Sequence, residues 1–499
     1  MTRTQFISLL SVCILIALIL GGCAQATPTP TPARFEEVDC MFPVPAGYTI
    51  DCGYLFVPDD RSQPDSPLIQ LHVAIVRSPN QTPAPDPVVY LEGGPGAHTL
   101  DGIAYYVAIF QNVLGDRDVI FLDQRGVGYS RPSLNCPEVE EQIFQDMTLN
   151  LSREEGIQHY VQANQACHDR LVSEGIHLAA YTSAANAADV NDLRIALGYS
   201  EWNLYGKSYG TRLALTVMRD YPEGVRSVVL DSVYPPQVDL FAEEAGIMVR
   251  SFDLLFERCA ADASCSDKYP ELRTVFYELV ARLDAEPVTL AFARPGTAQL
   301  YEVVVNGDRM IVALWGLMYS ADYIPWVPRY IYEFHQGRWG DMPNVFFAYD
   351  SLSEGMRLSV QCGEEVRFSS PEALEAATAS VQPRLRAIFN EPIFAVCAAW
   401  GAEPADPVEN EPVASDIPTL ILQGDYDPAT PPAWGQLAAE TLSQAYYLEF
   451  PGFGHGVLGV GLGGGRCSRV IVDTFLAVPD SAPDASCLTG LRIFFVTNY

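Results

Sequence analysis

The chain has 499 residues, 48% of them hydrophobic, with 62 acidic side chains against 30 basic ones and a formal net charge of −32. That balance excludes nucleic acid as a partner, because neutralising phosphates needs a basic face, while the length allows one large domain carrying an insertion, or two domains. Twelve cysteines occur without a CxxC and no histidine pair sits at ligand spacing, so no metal is expected.

Residues 1–23 read as a bacterial lipoprotein signal: a short polar start with Arg3, an apolar run from Phe6 to Leu20, then Gly21, Gly22 and Cys23 in lipobox order. The run is too short for a transmembrane helix. A mature chain beginning at a diacylated Cys23 would be extracytoplasmic and lipid-anchored to a bacterial membrane. Residues 24–36 are a Thr/Pro-rich linker, extended and semi-rigid. With Cys13 lost in the signal and Cys23 lipidated, ten cysteines remain, an even number that fits disulfides in an oxidising compartment.

Short apolar runs then recur, each closing on Gly, Pro or Asp: Tyr48 to Val57, Leu68 to Val76, Val88 to Leu91, Asp118 to Leu122, Trp202 to Tyr205, Val225 to Leu230, Thr419 to Leu422 and Ala445 to Phe450. Helix-length segments separate most of them, for example Ser183 to Leu197 with its apolar repeat through Val190, Leu193 and Leu197. Alternating strands and helices predict an α/β fold with a mostly parallel, eight-stranded sheet covered by helices on both faces. The alternation stops between about Pro236 and Pro418. That stretch is aromatic and mainly helical, so it predicts a large cap over residues 237–410, inserted between a first core part at 37–236 and a C-terminal core part at 411–499.

Gly206-Lys207-Ser208-Tyr209-Gly210 follows a strand and opens a helical pattern, the setting of a nucleophile elbow. A serine needs a base to take its proton, and only His335 and His455 follow it. His455 sits in a Gly-rich loop directly after the run ending at Phe450, where a strand end would deliver it. His335 falls in the cap. The acid is expected from the loop after Leu422, with Asp427 preferred, Asp425 as a turn residue and Asp231 as the competitor. Acyl transfer also needs donors for an oxyanion. The Tyr209 amide and an amide of Glu92-Gly93-Gly94-Pro95-Gly96, assigned to Gly94, are the candidates. No organic cofactor is required.

Taken with Asp123 to Ser130 and Gly454 to Gly456, these motifs resemble the prolyl aminopeptidase and tripeptidyl aminopeptidase family of α/β-hydrolase serine peptidases, the secreted tripeptidyl branch most closely. The resemblance implies an α/β-hydrolase fold and a serine exopeptidase acting near the free amino end of peptide substrates. It further implies a Cys362–Cys397 bridge, a cysteine-bearing C-terminal region from Cys467 to Cys487, and a loop beside the active site that carries Asp123 and Arg125; because arginine forks commonly brace loops, these two are expected to form an internal ion pair that shapes it. An aminopeptidase must recognise a charged amine, and Glu364 and Glu365, near the end of the cap, are the expected anchors. Two other readings use the same residues: a carboxylic ester hydrolase with this triad, and a non-catalytic surface binding lipoprotein.

Overall fold

The computed structural model describes residues 33–293, 299–340, 342, 352–386, 391–459 and 465–497. Cys23, the signal and the linker up to residue 32 lie outside the described residues. All eight expected strands form: β2 (Ile50–Pro58), β3 (Leu68–Val76), β4 (Val88–Leu91), β5 (Val119–Leu122), β6 (Trp202–Lys207), β7 (Val225–Asp231), β10 (Thr419–Gly424) and β11 (Ala445–Phe450). A ninth, β1 (Arg34–Val38), pairs antiparallel with β2. Among the described residues the sheet is therefore nine-stranded, not eight-stranded, and it begins inside the stretch read as linker. In β1 only Phe35 is partly buried, packing against the core beside the backbone pairing at the sheet edge, and one apolar side chain leaves no pattern to read.

The strand order is β1-β2-β3-β5-β4-β6-β7-β10-β11. From β5 onward neighbours are parallel, and β1 to β3 form an antiparallel edge. Successive side chains alternate between two cores, as strand geometry requires. Val89 and Leu91 with Ile120 and Leu122 enter one; Val88 and Tyr90 with Val119 and Phe121 enter the other. Burial on both faces explains why these strands are unbroken apolar runs.

The insertion between β7 and β10 has two limbs. The first contains helices Leu240–Ala261, Leu272–Ala285, Gly307–Leu317 and Val327–His335, and also a hairpin of β8 (Val288–Ala293) and β9 (Leu300–Val305). It has its own core around Phe252, Phe276, Leu314 and Phe334. Tyr330, Phe334 and Trp339 stack within this limb, so these aromatics are packing residues. The second limb, from helix Glu354–Val360 to helix Glu391–Trp400, instead packs Met356, Leu358, Val396 and Trp400 into the core on one face of the main sheet.

Five disulfides join Cys40 to Cys52, Cys136 to Cys167, Cys259 to Cys265, Cys362 to Cys397, and Cys467 to Cys487. The expected Cys362–Cys397 bridge closes a 35-residue separation within the second limb. Restricting an unfolded loop of that size is worth roughly 3–4 kcal/mol. Replacing both Cys362 and Cys397 by Ser should lower the denaturant midpoint by a corresponding amount, and an unchanged midpoint would show that the bridge adds nothing to stability.

Candidate active site

Ser208 stands between β6 and the helix Tyr209–Asp220 with φ 56° and ψ −128°, a conformation rare for a residue with a side chain. The turn is possible because glycines stand two residues away on either side. A Cβ on Gly206 would lie 2.3 Å from the Gly210 carbonyl oxygen, and one on Gly210 would lie 1.9 Å from the Leu91 carbonyl oxygen. The Ser208 amide donates to the Asp231 carbonyl at 3.0 Å, tying the elbow to β7. Ser208, Gly94 and His455 all line a cavity of about 590 Å³ between the sheet and the cap. Tyr234, Trp315, Tyr319 and Trp434 give it an aromatic wall, with Tyr234 stacked on Trp434.

His455 Nδ1 is 3.0 Å from Asp427 Oδ2 and 3.1 Å from Oδ1. Asp427 is fully buried and also accepts the amides of Ala429 (2.9 Å) and Thr430 (2.8 Å) and the Thr430 hydroxyl (2.9 Å). Burial opposes its charge, but His455 and these donors outweigh burial and hold the carboxyl below its ordinary value. Asp231 does a different job. It accepts from the Tyr205 hydroxyl (2.6 Å) and the amides of Val457 (2.9 Å) and Leu458 (3.2 Å), so it shapes the loop after His455. Asp425 accepts the Gly452 amide at 2.8 Å and pairs with Arg258 at 2.6 Å.

The cap takes part in this geometry. From helix Leu240–Ala261, Arg250 donates to the carbonyls of Asp425 (2.8 Å) and Asp427 (2.6 Å). The Tyr319 carbonyl accepts the His455 amide at 2.7 Å, and the Tyr319 ring lies edge-on to the imidazole at 5.2 Å. Arg250 did not stand out in the sequence, because its partners are more than a hundred residues away, and Tyr319 stood there only as one of the clustered cap aromatics. Thr430 was within reach, since it lies three residues past Asp427.

Two expectations need correcting. Glu364 and Glu365 are not among the residues lining the Ser208 cavity. They are buried behind the elbow, in a π-helical turn from Gln361 to Glu365. Glu364 accepts the Ser183 amide (2.5 Å) and hydroxyl (2.6 Å), with Arg212 at 3.8 Å. Gln361, from the same turn, does line the cavity. The Asp123–Arg125 pair is also replaced. Asp123 accepts the amides of Thr99, Leu100 and Tyr129, whereas Arg125 forks onto Asp189 at 2.7 and 2.8 Å. His335 lies in the first limb, 3.2 Å from Glu278 and away from the cavity lining.

A second triad-like arrangement exists. His98 Nδ1 is 2.8 Å from Asp101 and Nε2 is 3.1 Å from Ser353 Oγ. Ser353 is fully buried and its hydroxyl donates to Asn135. A nucleophile without access to substrate is not one, so this cluster is a latch between the Gly96 loop and the second limb; the Ser353 amide donates to the Gly96 carbonyl at 2.8 Å.

Residues 86–295 match the family model for the alpha/beta hydrolase fold, and residues 388–487 match that for TAP-like protein. The chain is thus a serine hydrolase of the α/β-hydrolase fold with a TAP-like C-terminal segment. Among its relatives, serine protease Hip1 of Mycobacterium tuberculosis is 25% identical over 485 residues, covering 89% of this chain and 90% of that one. Tripeptidyl aminopeptidase of Streptomyces lividans is 29% identical over 235 residues, 45% of this chain and 43% of that one. Carboxylesterase B of Mycobacterium tuberculosis is 31% identical over 229 residues, 44% of this chain and 43% of that one.

Glu364 supplies a pH test. Burial pushes its carboxyl up to about 7 from an ordinary 4.5, against the pull of Arg212 and Ser183. A raised folded-state value favours the protonated form, so this group's contribution to stability is fully present below about pH 4.5 and is lost as pH rises through about 7. The stability of the wild type relative to Glu364→Gln should therefore decline across that window. A stability difference independent of pH from 4 to 8, measured by denaturant melts, would contradict it.

Proposed function

We propose that this protein is an extracytoplasmic, lipid-anchored serine exopeptidase that releases short pieces from the free amino end of peptides. The observation that carries the reading is the join between cap and site: Ser208 and His455 open into a cavity roofed by the insertion, a geometry suited to a chain end. The likeness to a serine protease and to a tripeptidyl aminopeptidase supports peptide substrates. Lipid anchoring rests on Cys23 and its flanks.

In the proposed reaction His455 Nε2 takes the Ser208 Oγ proton as Oγ bonds to the substrate carbonyl carbon. Asp427 holds Nδ1–H and stabilises the imidazolium. The Gly93 amide is already engaged by Glu92 Oε1 at 2.8 Å, so the loop's oxyanion donor falls to Gly94, with the Tyr209 amide opposite. The proton passes to the leaving amine as the C–N bond breaks, and water then cleaves the acyl-enzyme by the same steps in reverse. The substrate ammonium is assigned to Glu244, a carboxylate that lines the cavity from helix Leu240–Ala261. The same site would also hydrolyse esters, a second reading favoured by the likeness to carboxylesterase B.

Asp427→Asn should reduce turnover by about 10³–10⁴-fold, since the wrong imidazole tautomer results, whereas Asp231→Asn should retain activity within about tenfold; the reverse order would misplace the acid. A tripeptide substrate with a free amine should be cleaved about 10²-fold faster than its N-acetylated form, with Glu244→Gln erasing most of that difference, as loss of a sheltered charge pair does. Equal cleavage of the two peptides, or faster turnover of a matched ester, would leave a general hydrolase.

A further inference from the structure

Of the 30 basic residues in the chain, only Lys207 and Lys268 are lysines, and Lys207 immediately precedes the serine at the elbow. Lys207 ends β6 and lines the cavity. Its stem lies against the loop after His455: a Cβ built on Gly456 would sit 3.0 Å from Lys207 Cε and 3.9 Å from Nζ. Directly after the neighbouring strand β4, whose Leu91 is in register with Gly206, comes Glu92, the residue before the oxyanion glycines, which lines the same cavity and is 5% exposed. Glu92 Oε2 accepts from the Tyr90 hydroxyl at 2.7 Å and from the Tyr106 hydroxyl, and Oε1 accepts the Gly93 amide. Its backbone carbonyl accepts Gln124 Nε2 at 2.9 Å.

A buried carboxylate needs an opposite charge as well as hydrogen bonds. Burial pushes the Glu92 carboxyl up, but Lys207, followed by Tyr106, Gly93 and Tyr90, more than reverses this and holds it below the ordinary value. Glu92 is therefore ionised and Lys207 is its cation. The chain places the two charges where three loops meet. Glu92 fixes Gly93, whose own Cβ would lie 2.7 Å from Ser208 Cβ. Lys207 is bonded to Ser208 and touches Gly456. An arginine fork is planar and broad, whereas an ammonium on a slim stem fits beside Gly456.

We propose that Glu92 and Lys207 are a pair of positioning residues whose mutual attraction holds the Gly94 amide, the Tyr209 amide and the His455 loop in register for acyl transfer to Ser208. The pair touches no reacting atom, and its role rests on the serine-hydrolase chemistry proposed above.

The test uses the full mature chain carrying Lys207→Met, Glu92→Gln, both together, or Ser208→Ala, with kcat and KM measured on a free-amine peptide and the denaturant midpoint recorded for each. Each single change should lower kcat by about 10²-fold, the loss typical of a misplaced oxyanion donor, with KM altered less than about threefold. The double variant should be no worse than the poorer single one, because the pair acts as a unit. Should Lys207→Met fail to fold, the isosteric Glu92→Gln carries the same expectation. Losses that multiply in the double variant, an unchanged kcat, or a raised KM with kcat intact, as a direct substrate contact would give, would overturn the proposal. Ser208→Ala must be inactive. Turnover surviving there would remove the underlying serine chemistry, whereas normal turnover in Lys207→Met beside an inactive Ser208→Ala would overturn the pairing alone.

Discussion

The contact between Gly210 and the end of β4 sets the geometry of the site. The helix Tyr209–Asp220 begins so close to the Leu91 carbonyl that no side chain fits at Gly210, and the same squeeze forbids one at Gly206. Ser208 is consequently forced to positive φ and its side chain stands clear of both strand and helix. Because β4 and β6 are parallel neighbours with Leu91 opposite Gly206, the Glu92 to Gly96 loop leaves the sheet beside the serine. β7 and β10 follow in order, so Asp231 at the end of β7 and the loop bearing Asp427 lie along the same edge. This is the strand-end crevice where open α/β sheets gather ligands.

The cap completes what the sheet begins. Arg250 and Arg258, one helix face of the first limb, grip the carbonyls and the carboxylate of the Asp425 to Asp427 turn. Tyr319 holds the histidine by backbone and ring. Acid and base are therefore fixed partly by a segment that also walls the cavity, which couples substrate enclosure to the alignment of His455. The second limb is anchored differently, through the main core, the Cys362–Cys397 bridge and the buried contacts of Glu364 with Ser183 and Arg212. Ser183 in turn shares a 2.8 Å hydrogen bond with the Tyr209 hydroxyl, so this limb braces the residue after Ser208 from behind.

Much of this was legible because strands buried on both faces leave unbroken apolar runs, and because an elbow needs glycines at fixed offsets from its serine. β1 was not legible, since an exposed edge strand held by backbone pairing carries no pattern. The role of Glu364 and Glu365 was misread as that of substrate anchors for a related reason: the arginine that makes their burial tolerable, Arg212, lies about 150 residues earlier. The loop acids show the same limit. The habit of arginine forks to brace their own loops suggested Asp123 for Arg125, yet the backbone amides around Thr99 and Tyr129 claim Asp123, and Asp189 supplies the fork's partner. Local motifs thus pointed to Ser208, His455 and Asp427, while the residues that surround and orient them depend on contacts between distant segments.

The account stands on Ser208 being the reactive group. Incubating the folded protein with a serine-directed phosphonate, followed by intact-mass analysis and peptide mapping, tests this directly. A single adduct on Ser208, absent from Ser208→Ala, is the predicted result; no adduct, or one on another serine such as Ser353, would contradict it.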